Sequence, residues 1–170
     1  MSPAKGLDQV SEQGEQHMNR EFGTTQLGAQ PYMGIRTTTT IDKLPAIMGQ
    51  LFGEVYGHIQ RSGQEPAGMP FSIYHSMEGG TVELECGMPV GSPMAGTARV
   101  KAGELPSGTM ATVTHLGPYA DLPHTWAALT EWINSQGLQP AGAPWEVYVT
   151  DPGAEPDQSK WRTDIFFPVR

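Results

Sequence analysis

The sequence predicts an α+β domain built from a duplicated β-α-β-β unit, and three observations carry that prediction. Residues 60–74, QRSGQEPAGMPFSIY, and residues 134–148, NSQGLQPAGAPWEVY, align at a spacing of 74 with identities at Gly63/Gly137, Pro66/Pro140, Ala67/Ala141, Gly68/Gly142, Pro70/Pro144 and Tyr74/Tyr148. Two unrelated fifteen-residue stretches would share about one identity, so this is an internal repeat of one supersecondary unit. An amphipathic helical pattern precedes each copy, and a β-branched run precedes each helix.

The first 30 residues are rich in Glu, Gln, Gly, Ser and Thr and lack apolar periodicity, so they read as a mobile tail. The domain proper is expected over 31–170, with a first repeat at about 31–90, a linker at 91–107 and a second repeat at about 108–170. Ile35–Ile41 opens the first repeat as a strand. Leu44, Ile47, Met48, Leu51, Phe52, Val55, Tyr56 and Ile59 recur at three- and four-residue steps and predict a helix over about 43–62. Phe71–Met77 and Thr81–Met88 follow as strands joined by the hairpin turn Glu78-Gly79-Gly80. The segment 91–107 links the units or adds an edge strand.

The second repeat retraces the first. Met110–His115 is a strand, and Leu122, Trp126, Leu129 and Ile133 mark a helix over about 121–136, with Asp121 placed to cap it. Gly63 and Gly137 stand where the two helices should stop. Trp145–Thr150 and Trp161–Val169 are the last strands, joined by a longer loop. Two such units can join their sheets antiparallel about a pseudo-two-fold axis. Both helices then lie on one side, and a groove between the halves on the other is the expected ligand site.

Composition narrows the function. The chain has 170 residues, 10 Lys and Arg against 18 Asp and Glu, and a net charge of −8. That excess of acid, with no basic cluster, speaks against a nucleic-acid surface. No apolar run reaches the length of a membrane span, and the N-terminus lacks the apolar core of a secretory signal. The single cysteine, Cys86, suits a reducing cytoplasm. Its neighbours Glu83 and Glu85 make it a poor nucleophile, and the pair itself reads mainly as a solvated strand face. The five histidines show no metal-ligand spacing, and no nucleotide, P-loop or serine-hydrolase fingerprint occurs, so no cofactor or metal is expected.

Strand alternation selects the candidate site. Trp145 and Val147 share one face, taken as the helix face because it is apolar; Glu146 and Tyr148 share the other. The same rule sends Ser72 and Tyr74 to the groove. For the strand at 161–169 the inward parity is open. The repeat position of Glu146 holds Ser72 in its twin, so the groove would carry one carboxylate. A carboxylate desolvated among tyrosines is left seeking a cation, while an ordinary exposed strand glutamate needs none.

The second repeat resembles a known family. His115-Leu116-Gly117-Pro118-Tyr119, the helix with Trp126 and Trp132, Gly142–Pro152 with its Trp145-Glu146-Val147-Tyr148 core, and Trp161–Val169 are similar to the GyrI-like small-molecule-binding domain. This is also the effector-binding domain of multidrug-sensing and AraC-type regulators. The likeness covers about 31–170 and is stronger in the second half. It implies that Glu146, with Tyr148 beside it, lies in a central pocket where aromatic rings sandwich flat, often cationic ligands. Tyr74, Tyr119, Trp161 and Phe166 would add stacking surface, with Ser72 nearby. The expected function is therefore binding of flat apolar, preferably cationic small molecules, in xenobiotic sensing or sequestration. The family offers two alternatives. One is hydrolysis of cyclopropane-containing genotoxins, with Glu146 as base and Tyr148 or Tyr119 as hydrogen-bond donor. The other is inhibition of DNA gyrase by protein contact. The short polar tail is no helix-turn-helix, so a stand-alone domain is expected.

Overall fold

The computed structural model describes residues 21–170. Eight strands form one antiparallel sheet: β1 (Gly23–Leu27), β2 (Gln30–Thr40), β3 (Phe71–Glu78), β4 (Thr81–Pro89), β5 (Lys101–Leu105), β6 (Gly108–Leu116), β7 (Trp145–Tyr148) and β8 (Arg162–Pro168). Helix α1 (Leu44–Arg61) joins β2 to β3, and α2 (Leu122–Ser135) joins β6 to β7. Both helices carry Pro in the first turn, where its missing N–H costs nothing. Each is followed by a glycine in the left-handed region, Gly63 at φ 79° and Gly137 at φ 70°. The β3–β4 hairpin turns on Gly79 and Gly80, both at positive φ, as a two-residue loop following the sheet twist requires.

The strand order β1-β6-β8-β7-β3-β4-β2-β5 bears out the duplication and enlarges it. Exchanging β1 with β5, β2 with β6, β3 with β7 and β4 with β8 reverses the order onto itself. The repeating unit is therefore β-β-α-β-β. The first strand of unit one, β1, lies in the stretch read from sequence as tail. It holds its place by pairing with β6, as β5 pairs with β2. Sequence missed it because GTTQL is polar and alternates only between exposed and half-buried positions at a sheet edge. Residues 1–20 lie outside the described residues. The segment 91–107 contributes the edge strand β5.

Each helix packs on its own half. Leu51, Val55 and Ile59 of α1 meet Val82, Leu84 and Cys86 of β4 and Met33 and Ile35 of β2. Leu129 and Ile133 of α2 meet Ala111 and Val113 of β6 and Ile165 of β8. Fully burying such a side chain contributes roughly 1.5–3 kcal/mol, and these two clusters anchor the helices to either end of the sheet. Between the two clusters β7 and β3 run side by side at the centre of the sheet, and the interval between the helices above them is termed the cleft.

The other sheet face is not open. The sheet curls into a half-barrel whose inner side holds a third cluster of Tyr32, Phe71, Ile73, Leu105, Met110 and Trp145. Trp145 and Val147 face this cluster, not the helices. Glu146 and Tyr148 consequently face the helices, and the parity assigned from sequence is reversed. The cause is physical: both faces of the central strands are buried, so apolarity no longer identifies the helix side.

Candidate functional site

β3 and β7 pair in the register Phe71–Val147, Ser72–Glu146, Ile73–Trp145. Ser72 and Glu146, equivalent positions of the repeat, thus lie directly opposite each other at the pseudo-two-fold axis. Glu146 is 3% exposed. Its Oε1 accepts the Trp126 indole N–H from α2 at 2.5 Å, and its Oε2 accepts the hydroxyls of Tyr148 at 2.7 Å and Tyr74 at 3.0 Å. No ion pair to Glu146 occurs among the described residues. A buried carboxylate with neutral donors alone is poorly compensated. Burial pushes its pKa above the usual carboxylate range; the three donors and the His115 imidazole nearby pull the other way. Burial likewise raises Tyr74 and Tyr148 well above ordinary tyrosine, so both hydroxyls stay protonated and serve as donors.

Aromatic rings close around this carboxylate. Phe52 of α1 meets Tyr148 edge-on at 5.9 Å, and Trp126 of α2 meets Tyr74 edge-on at 5.9 Å. Tyr119, in the short 3-10 turn Tyr119–Asp121 before α2, packs against Tyr148 at 5.7 Å and tilts over Trp161 at 4.8 Å. Trp161 is held by its indole N–H to the Glu155 carbonyl at 2.8 Å. The turn carrying Tyr119 is itself pinned. His115 Nε2–H donates to the Pro118 carbonyl at 3.0 Å, and its Nδ1 lies 2.7 Å from the Thr125 hydroxyl of α2. Phe52, Tyr119 and Trp161 remain partly exposed at the outer side of this cluster.

The structure therefore brings together Glu146, Tyr148, Tyr74, Tyr119 and Trp161 in the cleft between the helices. Ser72 also faces the cleft but is fully buried, with its hydroxyl 3.7 Å from the Cys86 thiol. Phe166 is elsewhere. It stacks on Trp145 at 5.7 Å, on the half-barrel side. There it helps line a groove of about 430 Å³ with Leu27, Leu105 and Val147. The helix-free face has its groove, as expected, but that groove is apolar and lacks Glu146. Its amide, Gln30, is spent on the Pro31 and Val90 carbonyls. Glu83 and Glu85 also face away from the cleft, Glu83 with Arg36 and Glu85 with Tyr32 and His75. Cys86 is pushed up to about 11 by burial first, and is no nucleophile.

Two residues of the site were not singled out from sequence. Phe52 falls in the apolar stripe of α1, and Trp126 reads as core of α2. Trp126 carried one usable signal, since a buried indole N–H needs an acceptor and Glu146 is the acid that its own repeat supplies.

A helix pair on a duplicated antiparallel half-barrel, with one carboxylate in an aromatic cleft at the axis, defines a small-molecule-binding class of α+β domain. The chain belongs to the GyrI-like small molecule binding domain family, whose sequence profile matches residues 21–170. No curated protein matches the sequence. Among solved structures, EcmrR bound to DNA in its RNA polymerase complex superposes with a TM-score of 0.78 at 19% identity, over 96% of this chain and 62% of that one. The chain thus spans under two thirds of EcmrR. The EcmrR C-terminal domain alone gives 0.71 at 21% identity, over 90% of this chain and 99% of that one. SAV2435 bound to tetraphenylphosphonium gives 0.63 at 16% identity, over 88% and 94%. These likenesses establish the fold. No helix among the described residues is long and apolar enough to cross a membrane.

Proposed function

We propose that the cleft binds flat or bulky apolar cations and that the protein serves in cytoplasmic sensing or sequestration of such compounds. The observation that carries this reading is Glu146: a carboxylate buried among rings, held by three neutral donors and, among the described residues, paired with no cation. A lipophilic cation supplies the missing charge, and each ring it covers adds on the order of 0.5–2 kcal/mol. The tetraphenylphosphonium held by SAV2435 is a ligand of this kind. Trp126 and Trp161 both border the cleft, so tryptophan fluorescence reports occupancy directly. Titration with tetraphenylphosphonium should quench wild type at concentrations where Glu146→Gln shows no change. Equal response of the two proteins would sink the charge role.

A second reading has one observation behind it. Burial keeps the Glu146 proton affinity high and sets two tyrosine hydroxyls on it, which is the equipment of a general acid–base site. In that reading Glu146 activates water and Tyr148 or Tyr119 donates to a substrate carbonyl. Turnover of a cyclopropane-enone by wild type and none by Glu146→Gln would support it, and undiminished turnover by that variant would remove it.

A further inference from the structure

Thr163 is fully buried, and its hydroxyl is the one buried side-chain polar atom among the described residues that has no hydrogen-bond partner. It stands on β8 directly between Tyr148 of β7 and His115 of β6. Residues opposite each other on neighbouring strands share a face, with Cβ atoms about 4.5–5.5 Å apart. Thr163 therefore projects to the Glu146 side of the sheet. Its neighbours are committed elsewhere. The Tyr148 hydroxyl donates to Glu146, and both His115 ring nitrogens are engaged by Thr125 and Pro118. Valine has nearly the same shape, favours strands equally and would leave no orphan donor. A buried donor kept without a partner, on the same face of the sheet as Glu146 and Tyr148, calls for an explanation, and a partner supplied by a bound molecule is one.

We propose that Thr163 is a specificity residue: its hydroxyl donates to an acceptor oxygen of the ligand, so the cleft favours lipophilic cations that also carry a carbonyl or ether. The inference rests on the reading of Glu146 given above and adds to it a second, uncharged recognition point. The two are spatially distinct. Glu146 lies two residues further along β7 from Tyr148, so it is the diagonal neighbour of Thr163, about 7–8 Å away. A cation resting against the Glu146–Tyr148 end can thus reach Thr163 with an oxygen a few bonds from its charge.

The test uses tetraphenylphosphonium and its mono-para-acetyl derivative, which has the same charge and one added acceptor. Wild type should bind the acetyl derivative about 3–10-fold more tightly, the worth of one hydrogen bond. Thr163→Val should abolish that preference, leave affinity for the parent cation unchanged and raise Tm by about 2–4 °C through loss of the orphan donor. Thr163→Ser keeps the donor and should restore the preference. Equal binding of the two cations by wild type, or a preference that survives in Thr163→Val, overturns the inference while leaving the cation reading intact. A fall in Tm of Thr163→Val overturns it too, because the hydroxyl then serves the fold. Binding of neither cation by wild type removes the reading of Glu146, and the Thr163 inference with it.

Discussion

Replacing Glu146 by glutamine separates charge from shape at the centre of the site. The substitution keeps the volume, and the hydrogen-bond network can accept it. The Trp126 indole can only donate, so the amide oxygen must take the Oε1 position, which puts the NH₂ group against Tyr74 and Tyr148. Both hydroxyls can rotate to accept, so no donor is left facing a donor. The variant should therefore fold, and at pH 7 it should be at least as stable as wild type. Its binding should suffer. A cation seated one ring away, about 6 Å from the carboxylate, interacts with it by about 3 kcal/mol at an effective dielectric of about 20. That corresponds to about a 100-fold loss of affinity. The assay is isothermal titration of both proteins with tetraphenylphosphonium and with uncharged triphenylphosphine oxide. The cation should lose about 100-fold and the neutral compound less than about threefold. Equal losses for the two ligands, or a cation loss below about fivefold, would refute the argument that Glu146 acts by its charge.

Further outcomes follow from the same geometry. Because burial raises the Glu146 pKa, cation affinity should fall on acidification at a pH above the usual carboxylate range, and the fall should vanish in Glu146→Gln; pH-resolved titration reads it. Stability moves the opposite way. A group with a raised folded-state pKa contributes stability that is fully present below its unfolded pKa and is lost as pH rises through its folded pKa, so wild type should lose ground in Tm to Glu146→Gln as pH rises. Trp126→Phe removes one of the donors that hold the carboxylate ionised; it should cost about 1–3 kcal/mol in denaturant melts and move the pH midpoint of cation binding upward. Tyr119→Ala dismantles the stack with Trp161 and should weaken cationic and neutral ligands alike by about 3–10-fold. Phe166→Leu, on the half-barrel side, should leave cation affinity within about twofold of wild type, whereas a larger loss would return Phe166 to the site.

The repeat, the helices and the central hairpins were legible because each rests on a local rule: three- and four-residue apolar steps for α1 and α2, a Gly-Gly turn for β3–β4, glycines after both helices. The strand β1 was not, since its order comes from pairing with β6 across about eighty residues and leaves little mark on GTTQL. That Tyr148, Tyr74, Tyr119 and Trp161 gather near Glu146 was legible. Its side of the sheet was not. Alternation in Trp145-Glu146-Val147-Tyr148 correctly separates two faces but cannot say which one meets a helix. That depends on whether the far face is wet, and here the curl of the sheet buries it around Tyr32 and Phe71. Phe166 was misplaced by the same ambiguity, one strand over.

The asymmetry between Ser72 and Glu146 follows from where the axis falls. In a duplicated sheet most equivalent positions end far apart, so each copy can hold the same residue. Only at the axis does a position meet its own twin, and the register Ser72–Glu146 shows that this is such a position. Two glutamates there would face each other with Cβ atoms about 5 Å apart in a dry layer, where like charges directly opposite are destabilising. One of the two would be forced to stay protonated. A small neutral residue on one copy removes the conflict and leaves the other copy's carboxylate as the sole charge. The tyrosines two residues on, Tyr74 and Tyr148, face no such conflict, and both copies kept them. They converge on the single Oε2 from opposite sides of the axis. A two-fold frame of donors around one off-symmetric acid is thus what duplication permits at an axis, and it leaves a single carboxyl group at the centre.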